Sequence, residues 1–203
     1  MRYILLPISL IFMWTGCRPA PPPAEAASPP AQAVPEDWPS SFNIGRHATA
    51  EEITAWDIDV RPDGKGLPPG SGTVDEGAVL YAQQCGFCHG PAGEGGPNDK
   101  LVGRIEGDAF PFGDDLAAWR HRAVGSYWPY ATTLFDYIRR AMPFTAPGTL
   151  SDDEVYALTA HLLHLNGIIP EDAVMNAETL PQVAMPARDR FVPDDRLDYN
   201  EVH

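Results

Sequence analysis

Five consecutive residues, Cys85-Gly86-Phe87-Cys88-His89, constrain this chain more than any other feature. Cysteine is scarce: the 203 residues hold three, Cys17, Cys85 and Cys88. Two residues between cysteines at the end of a helix set both sulfurs along one edge. The histidine, next in sequence, turns beneath that edge. Three chemistries use such a pair. A zinc site needs a second pair of ligands, and no cysteine occurs after Cys88. A thioredoxin-like redox pair expects a βαβ setting, whereas strand-like alternation is scarce here. The third is covalent attachment of one haem, in which the thiols add across two vinyl groups and the histidine binds the iron.

Cys17 needs its own explanation, because an unpaired thiol is a liability in an exported protein. Residues 1–16 read as an export signal, with Arg2 for the positive start and an apolar run over 3–14 broken only by Ser9 and Pro7. Twelve helical residues span about 18 Å, short of a hydrocarbon core of roughly 30 Å. A cleaved signal is therefore expected rather than a transmembrane helix. Thr15-Gly16-Cys17 resembles a bacterial lipobox, in which the cysteine takes lipid and becomes the new N-terminus; Trp14 stands where that pattern prefers leucine. Cleavage by an ordinary signal peptidase further on is the alternative. Residues 18–36 hold seven prolines and six alanines. They cannot bury enough apolar surface to fold and read as a semi-rigid spacer reaching about 60 Å at ~3.1 Å per residue. Residues 17–36 thus read as lipid anchor site and linker, placing the rest of the chain on the periplasmic side of a bacterial membrane.

The remainder divides into an irregular arm (37–73), a helical domain (74–167) and an acidic tail (168–203). The whole chain has 22 prolines and 18 glycines, so much of it is turn or extended segment. In the arm, Ala50-Glu51-Glu52-Ile53-Thr54 reads as a short helix. Pro62-Asp63-Gly64 and Pro68-Pro69-Gly70 are turn signals. In the domain, helices are expected over 74–84 and 131–141, the second from Leu134, Phe135 and Ile138. Ser151-Asp152-Asp153-Glu154 is a capping box opening a third helix, whose apolar face is Val155, Leu158, Leu162 and Leu165 and which Gly167 ends. The tail carries eight acidic and three basic residues with spaced apolar anchors. Arm and tail are expected either to strap the domain or to dock a partner. The formal charge of −14 excludes nucleic acid and anionic membrane as partners, leaving membrane association to the lipid alone, and fits a basic protein surface. Tyr127, Trp128 and Tyr130 form an aromatic cluster before the second helix. Such residues can wall a haem, with N–H and O–H groups for its propionates. Arg104, Arg120 and Arg122 are further candidates to pair with propionates.

The stretch from Gly77 to Gly96, with Leu80-Tyr81 before the motif and Gly90, Gly93, Gly95 and Gly96 after it, resembles class I cytochromes c. The resemblance implies an all-α fold, three or more helices around one covalent haem, with extended N- and C-terminal segments. It also implies a proline carbonyl accepting the ring N–H of His89. Gly96-Pro97-Asn98 makes Pro97 the candidate. Met142-Pro143, between the second and third helices, lies where that family places its second iron ligand; Met185, Met175 and His121 are the rivals.

Longer stretches are similar to the cytochrome subunits of sulfur and sulfite dehydrogenases: Ala55-Trp56-Asp57-Ile58-Asp59-Val60-Arg61-Pro62-Asp63-Gly64, Val124-Gly125-Ser126-Tyr127-Trp128-Pro129-Tyr130-Ala131, and Tyr137-Ile138-Arg139-Arg140-Ala141-Met142-Pro143. That resemblance implies a catalytic partner that binds molybdenum, oxidises an inorganic sulfur species and passes electrons singly to the haem. The chain departs from the family in two ways: the type member carries two haem domains, and the anchor is unusual for it. A general periplasmic shuttle is the alternative, and a haem enzyme or gas sensor with an open iron site is a third reading.

Overall fold

The computed structural model describes residues 38–39, 42, 44–111 and 122–192. The export signal, Cys17, the linker to Glu36, Arg120, His121 and the end of the tail lie outside the described residues. The chain divides into two units, one ending at His47 and one beginning at Ala48. In the first, Trp38 and Phe42 meet edge to face with ring centroids 5.7 Å apart. The second unit holds every helix and strand of the described residues.

Three of its helices begin where side chains satisfy the free N–H groups of a first turn. Helix α1 (Ala50–Trp56) opens on a Thr49/Glu52 capping box, α2 (Val74–Gln84) on Thr73/Glu76, and the long C-terminal helix on Ser151/Glu154. Strand β1 (Ser71–Thr73) leads directly into α2. The last four C-x-x-C-H residues form α3 (Gly86–His89), a single turn that Cys85 joins to the end of α2. Further on come α4 (Val124–Tyr127), α5 (Ala131–Ala141), α6 (Asp152–Leu165) and β2 (Val174–Asn176). Among the described residues no helix is long and apolar enough to cross a membrane.

Helix α6 is the centre of the unit. Its buried residues run almost around it, from Val155, Tyr156 and Ala157 to Leu162 and Leu163, the pattern of a helix with neighbours on every side. It contacts α2, α4, α5 and both strands. The approach of α2 is possible because Gly77 has no side chain: a Cβ there would stand 2.0 Å from the Ala157 carbonyl oxygen. The helix closes in a Schellman arrangement: Gly167 takes φ +64°, its N–H reaches the His164 carbonyl at 2.7 Å, and that of Ile168 reaches Leu163 at 3.0 Å.

The helices expected over 74–84, 131–141 and after Ser151 are present with those bounds. The all-α expectation needs one addition, a small sheet. β1 pairs antiparallel with β2, with Gly72 opposite Met175. The sheet joins the last residues of the arm, Ser71–Thr73, to residues Val174–Asn176 of the tail. The tail buries Met175, Leu180, Met185 and Ala187 in the core. The arm is fastened by α5 and α6 side chains. The Val60 N–H donates to Asp136 Oδ1 at 2.8 Å, Thr132 Oγ1 donates to the Pro62 carbonyl at 3.1 Å, Arg139 to Ile58 at 3.0 Å, and Tyr156 OH to Pro68 at 2.8 Å. Asp136 is itself paired with Arg140 four residues on. Around α1 the arm presents apolar side chains outward: Trp56 is 88% and Ile53 54% exposed, and α1 buries no residue.

Candidate functional site

Helix α2 delivers the motif. Tyr81 is buried and donates from its hydroxyl to the Gly90 carbonyl at 2.9 Å, which ties the helix to the turn beyond the motif. Burial, with Cys85 and Glu94 adding, pushes this phenol up to about 12, so it stays a donor at any working pH. The turn folds back in hydrogen bonds. Gly95 N–H reaches the His89 carbonyl at 2.8 Å, Asn98 N–H the Cys88 carbonyl at 3.0 Å, and the N–H groups of Leu101 and Val102 both reach Gly93. Gly93 takes φ +74°, and a Cβ on it would meet Val102 at 2.4 Å, so only glycine serves there.

Cys85 and Cys88 are both half-buried free thiols. Burial, and then Cys88, pushes the Cys85 thiol up to about 11. A thiol so far above neutral is a weak nucleophile, against the depressed values that redox-active pairs need. Among the described residues no group of three or more His, Cys, Asp or Glu is placed to hold a metal ion.

His89 Nδ1 lies 2.6 Å from the carbonyl oxygen of Asp99. A carbonyl only accepts, so the ring proton is on Nδ1 and the Nε2 lone pair is left for a metal. The acceptor expected from the sequence is the Pro97 carbonyl; the loop carries the chain two residues further before it meets the ring. The residue type gives no sign of this, because any carbonyl can fill the role and loop length decides which does.

The expected methionine, Met142, caps the end of α5 and is half-buried against the core. The rivals Met175 and Met185 are 5% exposed inside the core, Met175 within β2. Trp128 is also half-buried, but its indole N–H already donates to Thr133 Oγ1 at 3.0 Å. Tyr130 precedes α5 with the Arg188 guanidinium 5.3 Å over its ring. Tyr127 belongs to another cluster, stacked on Phe110 at 5.3 Å with the Arg122 guanidinium 4.5 Å from its ring centroid. Arg104 makes a fork with Asp108, at 2.6 and 2.8 Å from one guanidinium nitrogen.

These residues fit a haem. Half-buried apolar side chains line the margin of the core from several elements: Leu80, Cys85, Leu101, Trp128, Met142 and Leu150. The main contacts of α3 are with α2, and those of α5 are with α6 and the turn Leu180–Gln182. The donor types a haem c requires are present among the described residues: the Cys85 and Cys88 thiols, the His89 imidazole at the end of α3, and the Met142 thioether at the end of α5.

A model of the family described as cytochrome C oxidase, cbb3-type, subunit III, matches residues 72–162. Two curated proteins named thiosulfate dehydrogenase are similar. That of Psychrobacter arcticus is 32% identical over 113 residues, covering 52% of this chain and 31% of that protein. That of Stutzerimonas stutzeri is 31% identical over 97 residues, covering 47% and 28%. The chain thus spans about a third of the length of these relatives. Among solved structures, the sulfane dehydrogenase SoxCD from Paracoccus pantotrophus contains a chain 43% identical, with a TM-score of 0.65 over 80% of this chain and 76% of that one.

Proposed function

This chain belongs to the SoxD-like family of cytochromes c and has their class I fold, and from that premise we propose that it is an electron-transfer protein of sulfur oxidation. It holds one haem c through Cys85 and Cys88, with His89 and Met142 as iron ligands. It accepts electrons from a periplasmic, molybdenum-dependent sulfur or sulfite dehydrogenase and passes them to the respiratory chain. The observation that carries this reading is the tie between His89 Nδ1 and the Asp99 carbonyl at 2.6 Å, beside two free thiols. That contact orients the imidazole so that its other ring nitrogen can bind a metal.

The haem, when bound, supplies a one-electron couple at iron. The protein's part is to fix the imidazole, to offer a soft thioether that favours the ferrous state, and to exclude water with Leu80, Leu101, Trp128 and Leu150. Pro97 shapes the loop ahead of Asp99. Trp128 and Tyr130 wall the site beside α5. The formal charge of −14 suits a basic partner surface, so association should slow as salt rises. Lipid at Cys17, with the proline spacer, holds the domain at the membrane; a Cys17→Ser protein should leave the membrane fraction.

A second reading draws on the name of the curated relatives, thiosulfate dehydrogenase: the chain itself oxidises a sulfur compound. One experiment separates the two. Oxidised holoprotein is mixed with thiosulfate alone, then with the dehydrogenase encoded nearby and its sulfur substrate. Reduction only in the second mixture, slower at high salt, supports the carrier. Reduction by thiosulfate alone supports the enzyme, and reduction in neither sets both aside.

A further inference from the structure

We propose that Asn166 is a positioning residue for the haem ligand His89, acting through the loop that carries the Asp99 carbonyl. The inference rests on the reading of His89 as an iron ligand. Asn166 caps α6 and is 3% exposed, far from the motif in sequence. Every polar position of its amide is used. Oδ1 accepts from the N–H of Gly103 at 2.9 Å and of Gly125 at 3.0 Å. Nδ2 donates to the carbonyls of Leu101 at 3.2 Å and Leu162 at 2.8 Å. Two acceptor and two donor contacts of the right kinds admit one orientation of the amide.

Three segments meet at this side chain: the end of α6, the start of α4, and the loop after the motif. The loop contacts fall at Leu101 and Gly103, immediately beyond Asp99. Val124 N–H also reaches the Leu101 carbonyl at 3.1 Å, so the loop is held at one point from both sides. The other end of the same loop is tied to the motif, through Asn98 N–H and the Cys88 carbonyl at 3.0 Å. The Asp99 carbonyl is therefore presented to His89 by a span fixed at both ends, and Asn166 is the side chain that, with the Gly93 carbonyl and the Val124 N–H, fixes the far end. A carbonyl that accepts firmly from Nδ1 raises the basicity of the other ring nitrogen, which favours ferric iron and lowers the potential. Loosening the loop should do the reverse.

The test uses the reduced and oxidised holoprotein. Asn166→Ala should raise the midpoint potential and speed exchange of the His89 ring N–H proton, read by NMR in the reduced state. Gly125→Ala should shift both in the same direction, since its Cβ would stand 2.5 Å from Asn166 Oδ1. Val155→Ala, at a fully buried position on the same helix, controls for lost stability. It should lower the melting temperature and leave the potential and the ring proton unchanged. If Asn166→Ala melts early with an unchanged potential and ring proton, Asn166 is only a structural cap and the proposal is overturned. If Asn166→Ala yields no holoprotein, the wild type decides: slow exchange of the Asn166 amide and His89 ring protons upholds the proposal, and free exchange of either overturns it. In each case attached haem in the wild type keeps the ligand assignment separate from this result.

Discussion

Replacing Gly77 with alanine tests the packing that places the motif. The glycine sits where α2 crosses α6, and an added Cβ would stand 2.0 Å from the Ala157 carbonyl oxygen, 2.6 Å from its carbon and 2.7 Å from His161 Cβ. Two of these atoms are backbone, so no rotamer change relieves the overlap. The helices must part by more than an ångström, and Tyr81 loses its ring contact with His161 of α6 as they do. Overpacking of this kind costs about 3 kcal/mol. Alanine returns about 1 kcal/mol as the better helix former, leaving a net loss of about 2 kcal/mol. For a chain of this size that is a fall of about 4–8 °C in melting temperature. Gly86→Ala is the matched control, because its nearest neighbour would be 3.6 Å away, an ordinary contact. Thermal unfolding of both holoproteins, monitored by circular dichroism, gives the comparison. A Gly77→Ala protein as stable as wild type would refute the close crossing.

Truncation after residue 170 removes four buried side chains, Met175, Leu180, Met185 and Ala187, the three larger ones each worth about 1.5–3 kcal/mol. The sum approaches a whole domain's stability of about 5–15 kcal/mol, so the shortened protein should lose cooperative unfolding, and a sharp unmoved transition would show the tail to be dispensable. His161 should make stability depend on pH: burial, and then His164, hold its folded-state value below the ordinary 6.5. The unfolded chain therefore takes the proton first: stability is full above the ordinary 6.5 and falls as pH drops from there to the lowered folded-state value; the fall should shrink in His161→Gln, and an unchanged profile would set the idea aside. Met142→Ala should abolish the weak far-red methionine–iron band of the oxidised protein, while Met185→Ala keeps it; the reverse pattern would assign the ligand to Met185.

The helices are legible in the sequence because each rests on local signals, apolar spacing at Leu134, Phe135 and Ile138 for α5 and capping residues for α2 and α6. Thr73 with Glu76 and Ser151 with Glu154 close capping boxes, and these are local rules that tertiary contacts do not need to override. The motif is equally plain, since its chemistry lies in five adjacent residues. Contacts between distant segments are not. The Asp99 carbonyl replaces Pro97 as the partner of His89, because backbone acceptors look alike in sequence. The pairing of β1 with β2 joins strands of three residues each, too short to show alternation. Val60 and Asp136, 76 positions apart, and the four contacts of Asn166 leave no local trace. The tail illustrates the same limit. Its apolar anchors are visible, but only the fold distinguishes buried Leu180 from Val192, which is 89% exposed.

The central claim is that Cys85 and Cys88 hold haem covalently with His89 beneath it. Intact mass of the denatured, purified chain, expressed in a host that matures c-type cytochromes, tests it most directly. The expected result is a chain heavier by one haem, with the added mass on the peptide containing residues 85–89 and absent when both cysteines are replaced by serine. A chain of apoprotein mass, or haem released on denaturation, would contradict it.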